Sequence, residues 1–174
     1  MRSMVHVAVF AAVVVVAAVF AGTASAAPAS STFAIVGYEY AFTQTVGAFA
    51  GTAVGDAGDS GAWNTRVEHD PLGSMPTYVN GGRFELAARS PSGSVDVVTG
   101  AIVYHGGTIT TLDPGAGCTN QRYLVTATLS DVTTSTTTGG SGNVQAVLTH
   151  YRTPLFGRCV IYKARVAGSV SFAY

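Results

Sequence analysis

Most of this chain consists of short runs in which apolar and polar residues alternate. Such runs occupy residues 33–42, 83–89, 142–151 and 159–172, and Gly, Asn, Asp or Pro separates each run from its neighbours. Alternation with a period of two places one set of side chains on each face of a β-strand. No segment after residue 26 shows the apolar stripe of an amphipathic helix. The pattern therefore predicts an all-β domain.

The first 26 residues are predicted to be an export signal. Arg2 supplies a short basic start, residues 5–21 are apolar, and Ala24-Ser25-Ala26 is an A-x-A cleavage site. An uncleaved membrane anchor is the alternative, because the apolar run approaches the length that spans a bilayer. Cleavage after Ala26 leaves residues 27–174, a single domain by length, which we expect to be secreted.

The charges of the chain are few and balanced. It has nine basic and nine acidic residues, and removal of Arg2 with the leader leaves one more acid than base. Such a balance lacks the broad basic surface that attracts nucleic acid or anionic lipid. We therefore expect no nucleic-acid partner and no membrane span after signal cleavage. The sequence contains no P-loop, G-x-S-x-G or C-x-x-C motif, so no cofactor is predicted.

Eight or nine strands with short connections are predicted, which suits an up-and-down antiparallel β-barrel. A two-sheet β-sandwich is the alternative. Asn80-Gly81 is predicted to be a hairpin turn, and Gly106-Gly107 is predicted to reverse the chain between the fifth and sixth strands. A closed barrel has no free edges, and an eight-stranded one is filled by side chains or holds one small ligand.

The two cysteines, Cys118 and Cys159, are predicted to form a disulfide because the chain carries an export signal. In a meander they lie at the same end, just before the seventh strand and at the start of the ninth. The bond must then span the eighth strand. Neighbouring strands are about 4.8 Å apart and the Cα limit of a disulfide is about 7 Å. Residues 115–117 are therefore expected to lean across.

A polar cluster is predicted at the disulfide end of the barrel. The alternation of the eighth strand turns His150 and Arg152 inward, and that of the ninth strand turns Tyr162 inward. Asp113 and Arg158 are expected at the same end. Such a set suits an anionic headgroup or acid–base chemistry. The alternative is a rim network that binds no ligand.

A second group of possible metal ligands is predicted at the opposite end. It comprises Glu68, His69, Asp70 and His105. Their spacings are irregular, and consecutive residues of an extended strand point to opposite faces, so no metal site is predicted. The predicted topology also separates His105 from His150.

Several short motifs occur in residues 81–172: Gly-Gly before strands, Ala-Gly-Cys at 116–118, Leu-Thr-His-Tyr-Arg-Thr at 148–153 and Phe-Gly-Arg-Cys at 156–159. In these motifs the segment resembles secreted β-rich proteins of GC-rich Gram-positive bacteria. The resemblance implies a secreted β domain and no particular activity. In architecture the meander is similar to lipocalin-like and allene-oxide-cyclase-like barrels, which implies a calyx, although no lipocalin Gly-x-Trp motif lies near the first strand.

Three functions are consistent with these features. The first is a secreted, non-enzymatic barrel that binds a small or amphipathic ligand. The second is a calyx-type cyclase or lyase in which His150 is the acid or base and Arg152 holds an anion. The third is a structural protein of the cell envelope. The oligomeric state is not indicated by the sequence.

Overall fold

Nine β-strands make up the described part of the chain. The computed structural model describes residues 30–74 and 76–174, so the predicted leader, residues 1–26, lies outside the described residues. No helix in this part of the chain is able to cross a bilayer. The all-β prediction is confirmed. The strands are β1 (Ser30–Phe42), β2 (Val46–Gly55), β3 (Ser60–His69), β4 (Thr77–Arg89), β5 (Val95–Ile102), β6 (Gly107–Asp113), β7 (Gln121–Thr133), β8 (Gly140–Leu155) and β9 (Arg158–Ala173).

The sheet closes into an antiparallel barrel with eight wall positions. β1 pairs with β9 from Ser30 opposite Ala173 to Tyr38 opposite Arg165. The wall continues through β8, β7, β5 and β4 to β3, and then through β2 back to β1. Every wall strand therefore has a partner on both sides. The predicted up-and-down barrel is confirmed, and the sandwich alternative is wrong.

β5 and β6 share one position in this wall. Both run antiparallel to β4 and to β7. Between them, residues 103–106 leave the wall and return to the same partner. The backbone N–H of Val103 donates to the oxygen of Thr128 at 3.0 Å, and the N–H of Thr128 donates to the oxygen of Gly106 at 2.9 Å. The predicted reversal at Gly106-Gly107 is wrong. β5 and β6 are both antiparallel to the same two strands, so the chain runs in the same direction before and after residues 103–106.

This shared position changes which strand ends lie together. We call one end of the barrel the disulfide pole: β1, β3, β6 and β8 end there, and β2, β4, β7 and β9 begin there. His69 at the end of β3 and His150 on β8 are both at this pole. The predicted placement of the Glu68, His69 and Asp70 group at the opposite end is therefore wrong. His105 lies part of the way along the wall, in the excursion between β5 and β6.

Asn80-Gly81 continues β4 and makes no turn. The ladder pairs Glu68 with Gly81 and His69 with Val79, so Asn80 is an extra residue in β4. Such a β-bulge bends one strand without ending it. The predicted hairpin is wrong because β4 has partners on both sides here, β3 on one and β5 or β6 on the other.

Trp63 is the centre of an apolar core that fills the barrel. Its indole stacks on Phe84 with ring centroids 6.0 Å apart, and its Nε1–H donates to the oxygen of Thr52 at 3.0 Å. Gly37 and Gly51 face each other on β1 and β2. A Cβ on Gly37 would lie 2.9 Å from the indole of Trp63. The indole therefore fills the space next to these two glycines. The cavity that remains is about 40 Å³, so the barrel holds side chains.

Gly51→Ala is expected to lower the free energy of unfolding by about 1–3 kcal/mol, the usual cost of overpacking. The added Cβ would lie 2.6 Å from the Cα of Gly37, so β1 and β2 would have to separate. Thr52→Val, on the outer face of the same strand, is the control and should change stability by less than about 0.5 kcal/mol. Urea denaturation followed by Trp63 fluorescence measures both. Equal stability of Gly51→Ala and the parent would contradict the close approach of the strands.

Candidate functional site

A histidine and a glutamate meet inside the barrel at the disulfide pole. Nε2 of His150 lies 2.9 Å from Oε2 of Glu39, and the two side chains are 5% and 4% exposed. A carboxylate only accepts hydrogen bonds, so Nε2 carries the proton of this bond. Nδ1 of His150 has no hydrogen-bond partner within residues 30–74 and 76–174. The imidazole thus has one nitrogen held by Glu39 and one nitrogen free.

The strand register brings the pair together across β9. Glu39 follows Tyr38, which pairs with Arg165, and His150 pairs with Ala164. The two side chains therefore flank Ala164 on the inward face of three neighbouring strands. Because alanine is small, the carboxylate and the imidazole reach each other over it.

Two aromatic rings flank the imidazole and an open cleft lies beside it. The ring centroid of Phe42 is 6.1 Å away, and that of Tyr123 is 5.5 Å away at an interplanar angle of 65°. The cleft has a volume of about 510 Å³. We call it the mouth cleft. Its lining combines apolar side chains with a few uncharged polar groups and comprises Phe42, Thr43, Gln44, Pro71, Leu72, Gln121, Tyr123, His150 and Ile161.

Tyr123 lies in a partly desolvated position in this cleft. Burial raises the pKa of its phenol above the ordinary value of 10.0, and the nearby charge of Glu39 adds to that rise while Arg152 opposes it. Burial disfavours the charged form of a group, so Tyr123 keeps its proton. The cleft therefore presents a phenol and an imidazole next to each other.

Arg152 and Asp113 lie at the disulfide pole but outside the mouth cleft. Nη1 of Arg152 donates to the oxygen of Gly115 at 3.2 Å. Oδ1 of Asp113 accepts from the N–H of Gly115 at 2.8 Å. Both side chains therefore hold the loop that precedes β7, and neither lines the cleft with His150.

Arg158 and Tyr162 lie on β9 and face solvent. Arg158 is exposed at the first position of the strand. Tyr162 is 63% exposed and lies beside Tyr38 in an outer groove. The predicted inward position of Tyr162 is wrong because of a bulge: Tyr151 pairs with Lys163 and Arg152 with Ile161, so Tyr162 has no partner and the alternation shifts.

The predicted disulfide between Cys118 and Cys159 is confirmed, with Cα atoms 5.5 Å apart. The preceding loop crosses over β8 as expected. Gly115 and Gly117 have φ of 71° and 62°, a left-handed conformation that glycine adopts without strain. The disulfide links this loop to β9 next to the turn of the β8–β9 hairpin.

His69 and Asp70 serve the loop between β3 and β4. The carboxylate of Asp70 accepts from the side chain of Asn80 at 2.8 Å and from the N–H of Tyr78 at 3.1 Å. These hydrogen bonds lower the pKa of Asp70. Nδ1 of His69 is hydrogen-bonded to the backbone carbonyl oxygen of Asp70 at 2.7 Å. Among the described residues, no three His, Cys, Asp or Glu side chains come together as a metal site would require.

Sequence reasoning found His150 but missed its partner Glu39. One signal was available: Glu39 falls on the inward set of β1 with Phe33 and Ile35. A carboxylate on an otherwise apolar face requires a partner when it is buried. The partner itself was hidden, because the wrong direction of the strands after β5 placed the end of β1 at the other pole.

His150→Phe is expected to lower the free energy of unfolding by about 3 kcal/mol, because it leaves the carboxylate of Glu39 buried without a partner. The double variant Glu39→Leu, His150→Phe should recover most of that loss, since an apolar pair needs no partner. Urea denaturation measures both. Arg66→Ala, which removes an exposed ion pair to Glu68 at 3.4 Å, is the control and should cost less than about 1 kcal/mol. A double variant no more stable than His150→Phe would contradict this account.

Stability is expected to fall as the pH rises above the ordinary tyrosine pKa of about 10. Burial raises the pKa of Tyr123 and of Tyr174 in the folded state. The folded chain then holds protons that the unfolded chain releases, so the stabilisation is complete below the unfolded pKa and is lost above it. Tyr123→Phe should flatten this decline and adding Tyr174→Phe should flatten it further. Identical slopes in the parent and the variants would refute the assignment.

Comparisons with known proteins assign no family to this chain. No protein-family model, no curated protein and no solved structure matches it. The resemblance to secreted proteins of Gram-positive bacteria and to lipocalin-like barrels therefore stays a prediction. The function has to be argued from the mouth cleft itself.

Proposed function

We propose that this protein is an exported binding protein that holds a small amphipathic ligand in the mouth cleft and catalyses no reaction. The observation that supports this is the Glu39–His150 pair, buried next to the cleft with a hydrogen bond of 2.9 Å. A buried carboxylate with its hydrogen-bond partner is often no more stabilising than a well-packed apolar pair. A barrel that packs its remaining interior with apolar side chains has no structural need for it, which argues for a role in binding.

The ligand belongs in the cleft and not in the barrel interior. The interior cavity of about 40 Å³ has room for little more than a water molecule. The mouth cleft, at about 510 Å³, falls within the range of small-molecule sites. Clefts at the mouths of β-barrels are common ligand sites.

The polar groups of the cleft favour a ligand that donates a hydrogen bond. In the imidazole tautomer whose Nε2 donates to Glu39, the free Nδ1 is an acceptor. The lining contains no Lys or Arg, and Arg152 is bonded to Gly115. An anionic headgroup therefore lacks a cation here. We propose an apolar ligand that ends in a hydroxyl or an amine.

Export is part of the proposal. It rests on the predicted leader at residues 1–26. The disulfide between Cys118 and Cys159 is compatible with an oxidising compartment.

Decanol, decanoate and decane share one apolar body and test the proposed chemistry. Decanol is expected to raise the melting temperature most, because its hydroxyl can donate to Nδ1 of His150. Decanoate is expected to raise it least, because its charge faces Glu39. Thermal unfolding at matched free concentrations measures the three. A larger shift with decanoate than with decanol would refute the proposed ligand class.

Phe42→Ala removes one wall of the cleft and leaves both Glu39 and His150 in the chain. It is expected to weaken decanol binding roughly tenfold, the loss of an aromatic contact worth about 1.4 kcal/mol. Tyr104→Ala removes an exposed aromatic that does not line the cleft and is the control. Equal loss of binding in both variants would show that decanol binds elsewhere.

A calyx-type cyclase or lyase is the second candidate, and the Glu39–His150 pair favours it as well. A carboxylate that holds one imidazole nitrogen leaves the other free to take or give a proton. Arg152 has no part in this version, since its guanidinium donates to Gly115. Glu39→Gln keeps the hydrogen bond to His150 without the charge. Turnover of a bound hydroxylated probe that this variant abolishes, while the probe still binds, would favour the enzyme.

A further inference from the structure

The β8–β9 hairpin projects beyond the barrel wall at the disulfide pole. β7 pairs with β8 only as far as His150, and β1 pairs with β9 only as far as Arg165. Beyond these residues β8 and β9 pair with each other from Arg152 opposite Ile161 to Leu155 opposite Arg158. We call residues 152–161 the projecting hairpin. The two strands meet at a two-residue turn, Phe156-Gly157.

The turn places an aromatic side chain in a strained and solvated position. Phe156 and Gly157 have φ of 48° and 75°, as in a type I′ turn, where Asn-Gly and Asp-Gly are the preferred pairs. A bulky residue with positive φ is a genuine outlier. Phe156 is 97% exposed and Leu155 is 49% exposed. Neither backbone preference nor packing within the described residues accounts for phenylalanine at this position.

The charged residues of β8 and β9 are all basic. No acidic residue follows Asp131 in the sequence, whereas four cations do: Arg152, Arg158, Lys163 and Arg165. None of the four forms an ion pair within residues 30–74 and 76–174. The near-zero net charge of the whole chain therefore conceals a positive region on β8 and β9. This region is able to attract anionic lipid although the charges of the whole chain are balanced.

Two contacts attach the projecting hairpin to the loop that precedes β7. Cys159, which pairs with Pro154 across the hairpin, is bonded to Cys118. The side chain of Arg152 is hydrogen-bonded to Gly115 on the same loop. A braced ribbon presents its tip in one orientation, so little conformational entropy is lost when the tip binds.

We propose that the projecting hairpin docks on an anionic lipid bilayer, with Phe156 and Leu155 in the interfacial region and the cations against the headgroups. Aromatic side chains favour that interface. Each basic residue near an anionic surface adds to the attraction, and apolar insertion supplies the rest. A bilayer also accepts an apolar tip without a complementary pocket. This inference does not depend on a ligand in the mouth cleft.

Sedimentation with phospholipid vesicles tests the proposal. The full domain is expected to bind vesicles of equal parts phosphatidylglycerol and phosphatidylcholine, and to bind vesicles of phosphatidylcholine alone far more weakly. Binding should weaken as salt is added, because exposed charges are screened within about 8 Å at physiological ionic strength. Equal binding to both vesicles, or none to either, overturns the proposal.

Phe156→Asn separates docking from folding. Asparagine suits the left-handed turn, so the variant should melt at a higher temperature than the parent. Vesicle binding should nevertheless fall roughly tenfold, because the inserted aromatic is lost. Tyr104→Asn removes another exposed aromatic outside the hairpin, 70% exposed, and should bind vesicles like the parent. If Phe156→Asn binds vesicles as well as the parent does, the tip does not insert.

Arg158→Gln and a soluble anion complete the test. Arg158→Gln should weaken binding to the phosphatidylglycerol vesicles and flatten its salt dependence. Polyglutamate serves as a probe for an acidic protein partner. Tight, Phe156-dependent binding of polyglutamate without vesicle binding would overturn the proposal in favour of a protein surface. Decanol binding in the mouth cleft should be unchanged in Phe156→Asn, so failure of one proposal is distinguishable from failure of the other.

Discussion

The antiparallel pairing of β1 with β9 closes the barrel, and the other features depend on it. A barrel in which every neighbour is antiparallel needs an even number of wall positions, because an odd number would make the first and last strands parallel. The nine strands of residues 30–174, residue 75 apart, satisfy the constraint because β5 and β6 share one position. Thr128 on β7 holds both ends of the excursion between them. As a result β1 and β8 end at the same pole.

Closure at that pole creates the buried Glu39–His150 pair. Glu39 and His150 flank Ala164, so the carboxylate and imidazole contact each other only because β9 lies between β1 and β8. A charge taken from water without a partner is very costly, and a hydrogen-bonded pair offsets most of that cost. The pair lies at the outermost inward row, where the mouth cleft adjoins the apolar core. There an imidazole is buried and still has a nitrogen available to a ligand.

Bulges then decide what each surface of the disulfide pole presents. The bulge at Tyr162 turns that ring outward and leaves Ile161 to line the mouth cleft. Bulges at barrel rims commonly redirect side chains in this way. The cleft is therefore apolar with uncharged polar groups, while the cations lie on the outside of β8 and β9. One pole of the molecule thus has two chemically different surfaces, a hydrogen-bonding cleft and a basic hairpin with an apolar tip.

The sequence by itself determined the all-β class, the disulfide between the two cysteines and the inward position of His150, and it left a closed barrel and a two-sheet sandwich as alternatives. The first three follow from a period of two along each strand and from the number of cysteines, which are local or compositional properties. Only the tertiary structure decided that β5 and β6 run in one direction, that Tyr162 turns outward and that Glu39 contacts His150. Gly-Gly occurs both in turns that reverse the chain and in short excursions that do not. The two differ in which strand the residues on either side are hydrogen-bonded to. Glu39 and His150 are 111 residues apart in the sequence. Their contact therefore depends on strand order and register, which no local sequence pattern specifies.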